Sequence, residues 1–378
     1  MEKVTLARPN LWLLLLVGLF AIVSRPLASA VPRLQAEQLP SASVNLGNEE
    51  FQNNRASAKQ HLDAGQPARA VPFLEKARSL NPSDFANGYD LSKAYMQTGQ
   101  LEKARAEATN LLRIRDTADV HTLLGDIETV AQSPKAAAAQ YQIAAQMDPS
   151  EDRIFDFGQS LLTFESDAAI RIFSYGVEKY PKSSRLRIGL GAAFEVHGNS
   201  DKAAEALCQA VDMNPADPTP IDFLGGLLNV SPQAAQQVNQ RLDRLLKIQP
   251  ENPDLNYYLA RNLLNPVTGQ PSKEEMARAE RLLKTAIRLN PKLTNAHFEL
   301  GRLFEMEDRQ HEAESSYEHA IKLDPSQAKY HYRLSLVYRA LGKTNMAAQE
   351  VHTFQRLQAA SEVSDAPGAQ RGTQPPLK

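Results

Sequence analysis

The side chains that could carry chemistry in this 378-residue chain are eight histidines, one cysteine and 44 scattered carboxylates. The histidines are His61, His121, His197, His297, His311, His319, His331 and His352, and no two stand at a metal-ligand spacing. His311-Glu312-Ala313-Glu314 opens like a zinc-binding helix but lacks the second histidine, so it reads as a solvated helix face. No Gly-x-Ser-x-Gly elbow, phosphate loop or dinucleotide fingerprint occurs, and no pair of carboxylates stands out as catalytic. The expectation is a chain that is not an enzyme and takes no metal or cofactor. Cys208 stands alone, so no internal disulfide can form, and it reads as a small apolar side chain inside a helix pair. Asn229-Val230-Ser231 has the form of a glycosylation acceptor, but Pro232 follows it and it is set aside. What remains is a chemistry of contact. Tyr257 with Arg261, and Phe298 with Arg302, set an aromatic ring and a guanidinium four residues apart, and Tyr332 and Arg339 follow. Such pairs offer apolar surface plus a fork for a carboxylate or peptide carbonyl, which suits gripping another protein.

Those pairs share a face only on helices, and the composition agrees. Hydrophobic residues make up 42% of the chain, charged residues 23% and aromatics 7%, with a single Trp, which disfavours a sandwich or barrel. Ala, Leu, Gln, Glu, Arg and Lys dominate, and these lose least on entering a helix. A net charge of -2 leaves no broad excess of Lys and Arg to neutralise phosphates, so a nucleic-acid partner is not expected.

The order of the helices is written in the prolines. Pro82, Pro149, Pro181, Pro215, Pro250, Pro291 and Pro325 are separated by 67, 32, 34, 35, 41 and 34 residues, and Asp116 takes the missing place in the double gap. Before Pro325 stand Leu300-Gly301, Phe304, Ala313, Tyr317 and Ala320; before Pro215, Leu190-Gly191, Phe194, Ala203, Leu207 and Ala210; before Pro149, Leu124-Gly125, Ala137, Tyr141 and Ala144. A period near 34 with these offsets resembles the tetratricopeptide repeat family, over roughly residues 51–360. Small residues at the eighth, twentieth and twenty-seventh places let two helices approach closely. Larger ones at the seventh, eleventh and twenty-fourth places fill the seam between them. Proline ends the second helix because it cannot supply the next amide, and Gly65, Gly99, Gly198 and Gly342 mark turns inside hairpins.

The expected architecture is all-α, with repeats at 51–84, 85–117, 118–150, 151–183, 184–217, 218–252, 253–293, 294–327 and 328–360. The fourth repeat is short, and its first helix fits only after a one-residue shift. The seventh holds about seven extra residues around Asn265–Ser272, read as an enlarged loop between its helices. Residues 31–50 read as a polar linker, and the tail 361–378, rich in Pro, Gly, Gln and Ser, as disordered.

The family resemblance implies a right-handed α-solenoid of about nine hairpins, with the first helices lining a concave groove. It also implies ligand-facing residues at places two, five, nine, twelve and thirteen. Place five reads Arg55, Tyr89, Thr122, Phe155, Ile188, Asp222, Tyr257, Phe298 and Tyr332; place nine reads Lys59, Lys93, Asp126, Gln159, Ala192, Gly226, Arg261, Arg302 and Leu336. The candidate partner-binding set is Tyr89, Lys93, Phe155, Tyr257, Arg261, Phe298, Arg302, Tyr332 and Arg339. The Lys and Asn set of the family's carboxylate clamp is missing.

At the amino terminus Lys3 and Arg8 precede an apolar run, Leu11 to Val23, too short to span a membrane comfortably as a helix. Ala28-Ser29-Ala30 follows, so residues 1–30 read as a secretion signal cleaved after Ala30; the alternative is an uncleaved anchor that tethers the chain to a membrane. Either way the rest is expected outside the cytoplasm, in a bacterial periplasm or secreted. No Cys follows the apolar run, which excludes a lipoprotein. The leading functional expectation is a non-catalytic scaffold that binds proteins or peptides in its groove. A second is a subunit or assembly factor of a cell-envelope machine for pili, outer-membrane proteins or secretion.

Overall fold

The computed structural model describes residues 41–227, 230–265 and 269–365. The stretch read as a secretion signal, the first half of the stretch read as linker and the last thirteen residues of the tail lie outside the described residues. The chain divides into two compact units, Met1–Glu50 and Phe51–Lys378. In the first, residues 41–50 are helical, so the stretch read as linker is helix over its second half. Nothing in that stretch breaks a helix after Pro40.

The second unit is an all-α solenoid. The described residues form eighteen helices and no strand. The first three hairpins pair α1 (Ser41–Asp63) with α2 (Pro67–Leu80), α3 (Phe85–Gln97) with α4 (Leu101–Ile114), and α5 (Ala118–Val130) with α6 (Pro134–Met147). Then come α7 (Glu151–Leu161) with α8 (Ser166–Lys179), and α9 (Ser184–Val196) with α10 (Ser200–Met213). The sixth and seventh units are α11 (Thr219–Gly226) and α12 (Pro232–Ile248), then α13 (Pro253–Leu263) and α14 (Lys273–Leu289). The last two pair α15 (Thr294–Met306) with α16 (Gln310–Leu323), and α17 (Ala328–Ala340) with α18 (Thr344–Asp365). Helix α18 continues to Asp365, so the tail read as disordered from residue 361 is helical over its first five residues.

Local chemistry explains the starts and stops. Asp84, Thr117, Ser183, Asn199, Ser231 and Asn252 each accept a backbone amide at a helix start, and Ser272 with Glu275 forms a reciprocal capping box. Within six hairpins the turn places one residue in the left-handed region: Gly65, Gly99, Gln132, Gly198, Asp308 and Gly342. At each of these turns the next amide bonds five residues back, as Gln100 N–H does to Tyr95 O at 2.8 Å. The four glycines were legible in the sequence; Gln132 and Asp308 were not, because neither residue type announces that backbone.

Helix pairs nest by complementary size. An added Cβ at Gly125 would lie 2.6 Å from the ring of Tyr141, and one at Gly301 2.7 Å from the ring of Tyr317. Where the eighth place carries Ala58, the facing place carries Leu74; where it carries Ser92, the facing residue is Ala108. All four are almost fully buried. The buried core divides along the chain into three stretches, one through the first three hairpins, one around the fourth and one from α9 to the end.

Two units depart from the regular hairpin. In the seventh, the connection 264–272 carries extra length and α14 is 17 residues, against 14 in α10 and α16. In the sixth, α11 has only eight residues and α12 has 17; α10 packs against both, and α13 does the same from the other side. A shortened first helix offset by a lengthened second keeps the proline spacing near 34, which hid this irregularity from the sequence. First helices of successive hairpins touch: α3 with α5, α7 with α9, α9 with α11, α11 with α13, and α13 with α15; among second helices α10 and α12 do so. The layer whose members crowd together is the inner side of a curved stack.

Candidate functional site

Polar bridges one repeat long knit the inner layer. Arg55 pairs with Asp90 at 2.7 Å, Arg153 with Asp119 at 2.5 Å, and Arg185 with Asp152. The Tyr258 hydroxyl donates to Asp222 at 3.2 Å and that of Tyr330 to Asn295 at 3.1 Å. These bonds fix neighbouring first helices in register, so that pockets between them have set shapes.

Two such pockets lie in the first four hairpins. One, of about 560 Å³, sits between α1 and α3 and is lined by Arg55, Lys59, Asp63, Asp90, Lys93 and neighbouring residues. The other, about 330 Å³, sits between α5, α6 and α7 and is lined by Thr129, Gln132, Pro134, Ala137, Tyr141, Asp156, Gln159, Ser160 and Thr163. At its back the Tyr141 hydroxyl donates to Asp126 at 2.8 Å. Burial raises both Asp126 and Asp156 above the ordinary carboxylate range; the Tyr141 hydrogen bond and Lys93 oppose the shift at Asp126, and Arg185 opposes it at Asp156. A third pocket, about 340 Å³, joins Gly269, Gln270 and Pro271 to Arg302, Glu305, Met306 and Arg333.

The predicted binding residues fall into two groups. Lys93 is exposed and lines the α1–α3 pocket, and Tyr89 is half-buried beside it, stacked on Phe85. Burial, with Asp119, Asp126 and Asp90 nearby, raises the Tyr89 hydroxyl. The aromatic stripe of the last repeats, in contrast, is not a surface. Tyr257 is 6% exposed and Phe298 7%; Phe298 packs against Tyr317 and Tyr330 with centroids 5.5 and 4.8 Å away. Burial pushes the Tyr257 hydroxyl up to about 12. Arg261 donates to the Gly225 carbonyl, and Arg302 pairs at 2.7 Å with Glu299, itself only 5% exposed. The physical reason is the seam: in these repeats place five faces the next hairpin, whose bulky residues enclose it. Tyr332, 44% exposed against Phe354, and Arg339, also exposed, are the members of the stripe that keep a free face. Arg302 reaches the third pocket.

Phe155, also in the candidate set, is less enclosed than Tyr257 and Phe298. It lies half-buried, edge-on to Phe173 and beneath the Arg185 guanidinium at 3.9 Å, and its neighbour Asp156 lines the pocket instead. The one-residue shift that the fourth repeat needs moves the pocket position from ring to carboxylate. Place nine of the third and fourth repeats, Asp126 and Gln159, was the signal that pointed here.

The histidines are structural or solvated. His121 is buried and bridges Asp116 and Gln140 at 2.9 and 2.8 Å; His331 is buried and bridges Glu350 and the Pro325 carbonyl. His297 bonds the Pro291 carbonyl six residues back in the same manner, and burial lowers its pKa. Cys208 is buried and free, its thiol pushed up to about 11 by desolvation. Among the described residues no group of His, Cys, Asp and Glu could hold a metal ion, and no helix is long and apolar enough to cross a membrane.

Two models described as tetratricopeptide repeat match the chain, one over residues 61–127 and the other over 165–218 and 273–327. No curated protein matches the chain. Among solved structures, the C-terminal part of a TPR repeat-containing protein from Cytophaga hutchinsonii is 13% identical, covering 77% of this chain and 98% of its own, with a TM-score of 0.48. A tetratricopeptide repeat protein from Parabacteroides merdae is 14% identical over 76% of this chain and 99% of its own, with a TM-score of 0.43. YrrB, described as a TPR protein with an unusual peptide-binding site, is 22% identical over 48% of this chain and 95% of its own, with a TM-score of 0.40.

Proposed function

We propose that the chain, whose residues 61–127, 165–218 and 273–327 match models of the tetratricopeptide repeat, is a multi-repeat protein of that kind and a non-catalytic scaffold whose inner layer of first helices binds a segment of partner proteins. The observation that carries this reading is the pair of pockets set between successive first helices, one lined by Arg55, Lys59, Asp63, Asp90 and Lys93, the other joining Asp156, Gln159, Ser160 and Thr163 to the core side chains Ala137 and Tyr141. Rigid backing matters for such a site, because a preformed surface avoids the cost of ordering on binding.

The partner is a protein outside the cytoplasm in this reading, on the strength of the leader with Lys3, Arg8, the apolar run and Ala28-Ser29-Ala30. Sequencing the amino terminus of the mature protein should return Val31 as its first residue. A photo-crosslinking residue at Lys93 or Gln159, both exposed on the inner layer, should capture partner proteins in native cell extract. The same probe at Glu178 or Arg281, exposed on second helices, should not. Equal capture from both layers would refute the groove.

A further inference from the structure

We propose that the pocket between α5, α6 and α7 seats a basic side chain, arginine or lysine, of the bound partner segment, an inference that rests on the scaffold reading. The pocket, about 330 Å³, is large enough for such a side chain, with the Tyr141 ring and Ala137 as an apolar floor and Asp156 on one wall.

The hydrogen-bond inventory determines which charge it accepts. The Thr129 hydroxyl donates to the Gly125 carbonyl at 2.9 Å, and the Ser160 hydroxyl to the Phe157 carbonyl at 2.7 Å. Tyr141 gives its proton to Asp126 at 2.8 Å. With their protons placed on the protein, and the Thr129 and Tyr141 oxygens 3.3 Å apart, these three groups turn acceptor oxygen to the cavity, beside Gln132, Gln159 and Thr163, which can donate or accept. Two carboxylates stand with them, Asp156 in the wall and Asp126 behind Tyr141. An acceptor-rich cavity repels a carboxylate and gains from a cation that brings several N–H donors.

The cations already nearby hold these two carboxylates only loosely. Arg185 pairs with Asp152 and lies on the Phe155 ring, leaving its other nitrogen 3.7 Å from Asp156. Arg153 is held by Asp119 and Asp148, and Lys93 reaches Asp126 only as a charge from α3. Burial opposes ionisation of both carboxylates, a burden that an incoming ammonium or guanidinium would relieve. A ring beside a carboxylate is also the arrangement that favours a cation over a neutral group of the same shape.

The test uses the full chain and two probes of nearly equal shape, N-acetyl-arginine-N-methylamide and its uncharged citrulline analogue, followed by ligand-observed saturation-transfer NMR. The expected result is transfer to the arginine probe, little to the citrulline probe, and a several-fold loss in Asp156→Asn. Asp126→Asn, which keeps an acceptor for Tyr141, should weaken the signal independently, with the helical circular dichroism of both variants unchanged. Equal transfer to the two probes, or transfer indifferent to both substitutions, overturns the pocket assignment. Crosslinking separates this from the scaffold reading. Partner capture at Lys93 that persists while neither variant affects the arginine probe leaves the scaffold standing and removes the pocket. Arginine-specific transfer without any captured partner does the reverse.

Discussion

Replacing Gly301 by alanine puts one methyl group where the ring of Tyr317 already lies. The built Cβ falls 2.7, 2.8 and 3.0 Å from Cε1, Cδ1 and Cζ of that ring. Tyr317 cannot retreat easily: it is fully buried, its hydroxyl bonds Glu305, and its ring rests on Phe298. Overpacking of this kind costs about 1–3 kcal/mol, while alanine in a helix interior recovers about 1 kcal/mol over glycine. The single change should therefore destabilise α15 and α16 by up to about 2 kcal/mol. Tyr317→Leu alone should cost about 2 kcal/mol, through the lost ring and one lost hydrogen bond. The double variant rebuilds the pair that the first hairpin already uses, Ala58 facing Leu74, both fully buried. It should recover about 1–2 kcal/mol relative to the sum of the singles. Native-state hydrogen exchange on α15 and α16 reads this locally, which suits a stack of repeats better than a global midpoint. Additivity within about 0.5 kcal/mol would show that the two positions do not share one volume, and the size-matching account of the hairpins would fail.

Two further outcomes follow from the backbone and the buried acids. Gln132→Gly should stabilise the third hairpin by up to about 1 kcal/mol in urea unfolding, since a non-glycine residue is strained at φ 56°. Asp308→Gly, at φ 57°, should gain less because Asp tolerates that region better, and Gly99→Ala, with open space around it, should lose about 1 kcal/mol from backbone strain alone. For Asp126 and Asp156 the folded protein holds the proton more tightly than the unfolded chain does, chiefly because of burial. Their contribution to stability is therefore complete below the unfolded value of about 3.8 and is lost as pH rises through the folded values. Asp156→Asn should accordingly raise the urea midpoint at pH 7, with the gain shrinking as pH approaches 4. A gain that grew on acidification would contradict the assignment of burial as the cause.

The sequence by itself determined the period, the all-α class and the seam. These are local or strictly repeated: a proline that ends a helix, a glycine at a left-handed turn such as Gly65, a small residue facing a large one. Each of these acts through its own backbone or its nearest neighbour at a constant offset, so one chain read against itself reveals them. Tertiary structure alone decided which side chains remain free to bind. Tyr257 and Phe298 occupy a place that faces ligand in the family pattern, yet the bulk of the following hairpin encloses them here. Asp156 gains its place in the pocket through the shift in α7, which turns Phe155 inward. The short α11 and the long α12 cancel in the count of residues, so no spacing could betray them. Exposure depends on the rotation of each hairpin against the next and on the total volume packed between them, and both are properties of the assembled stack rather than of any one repeat.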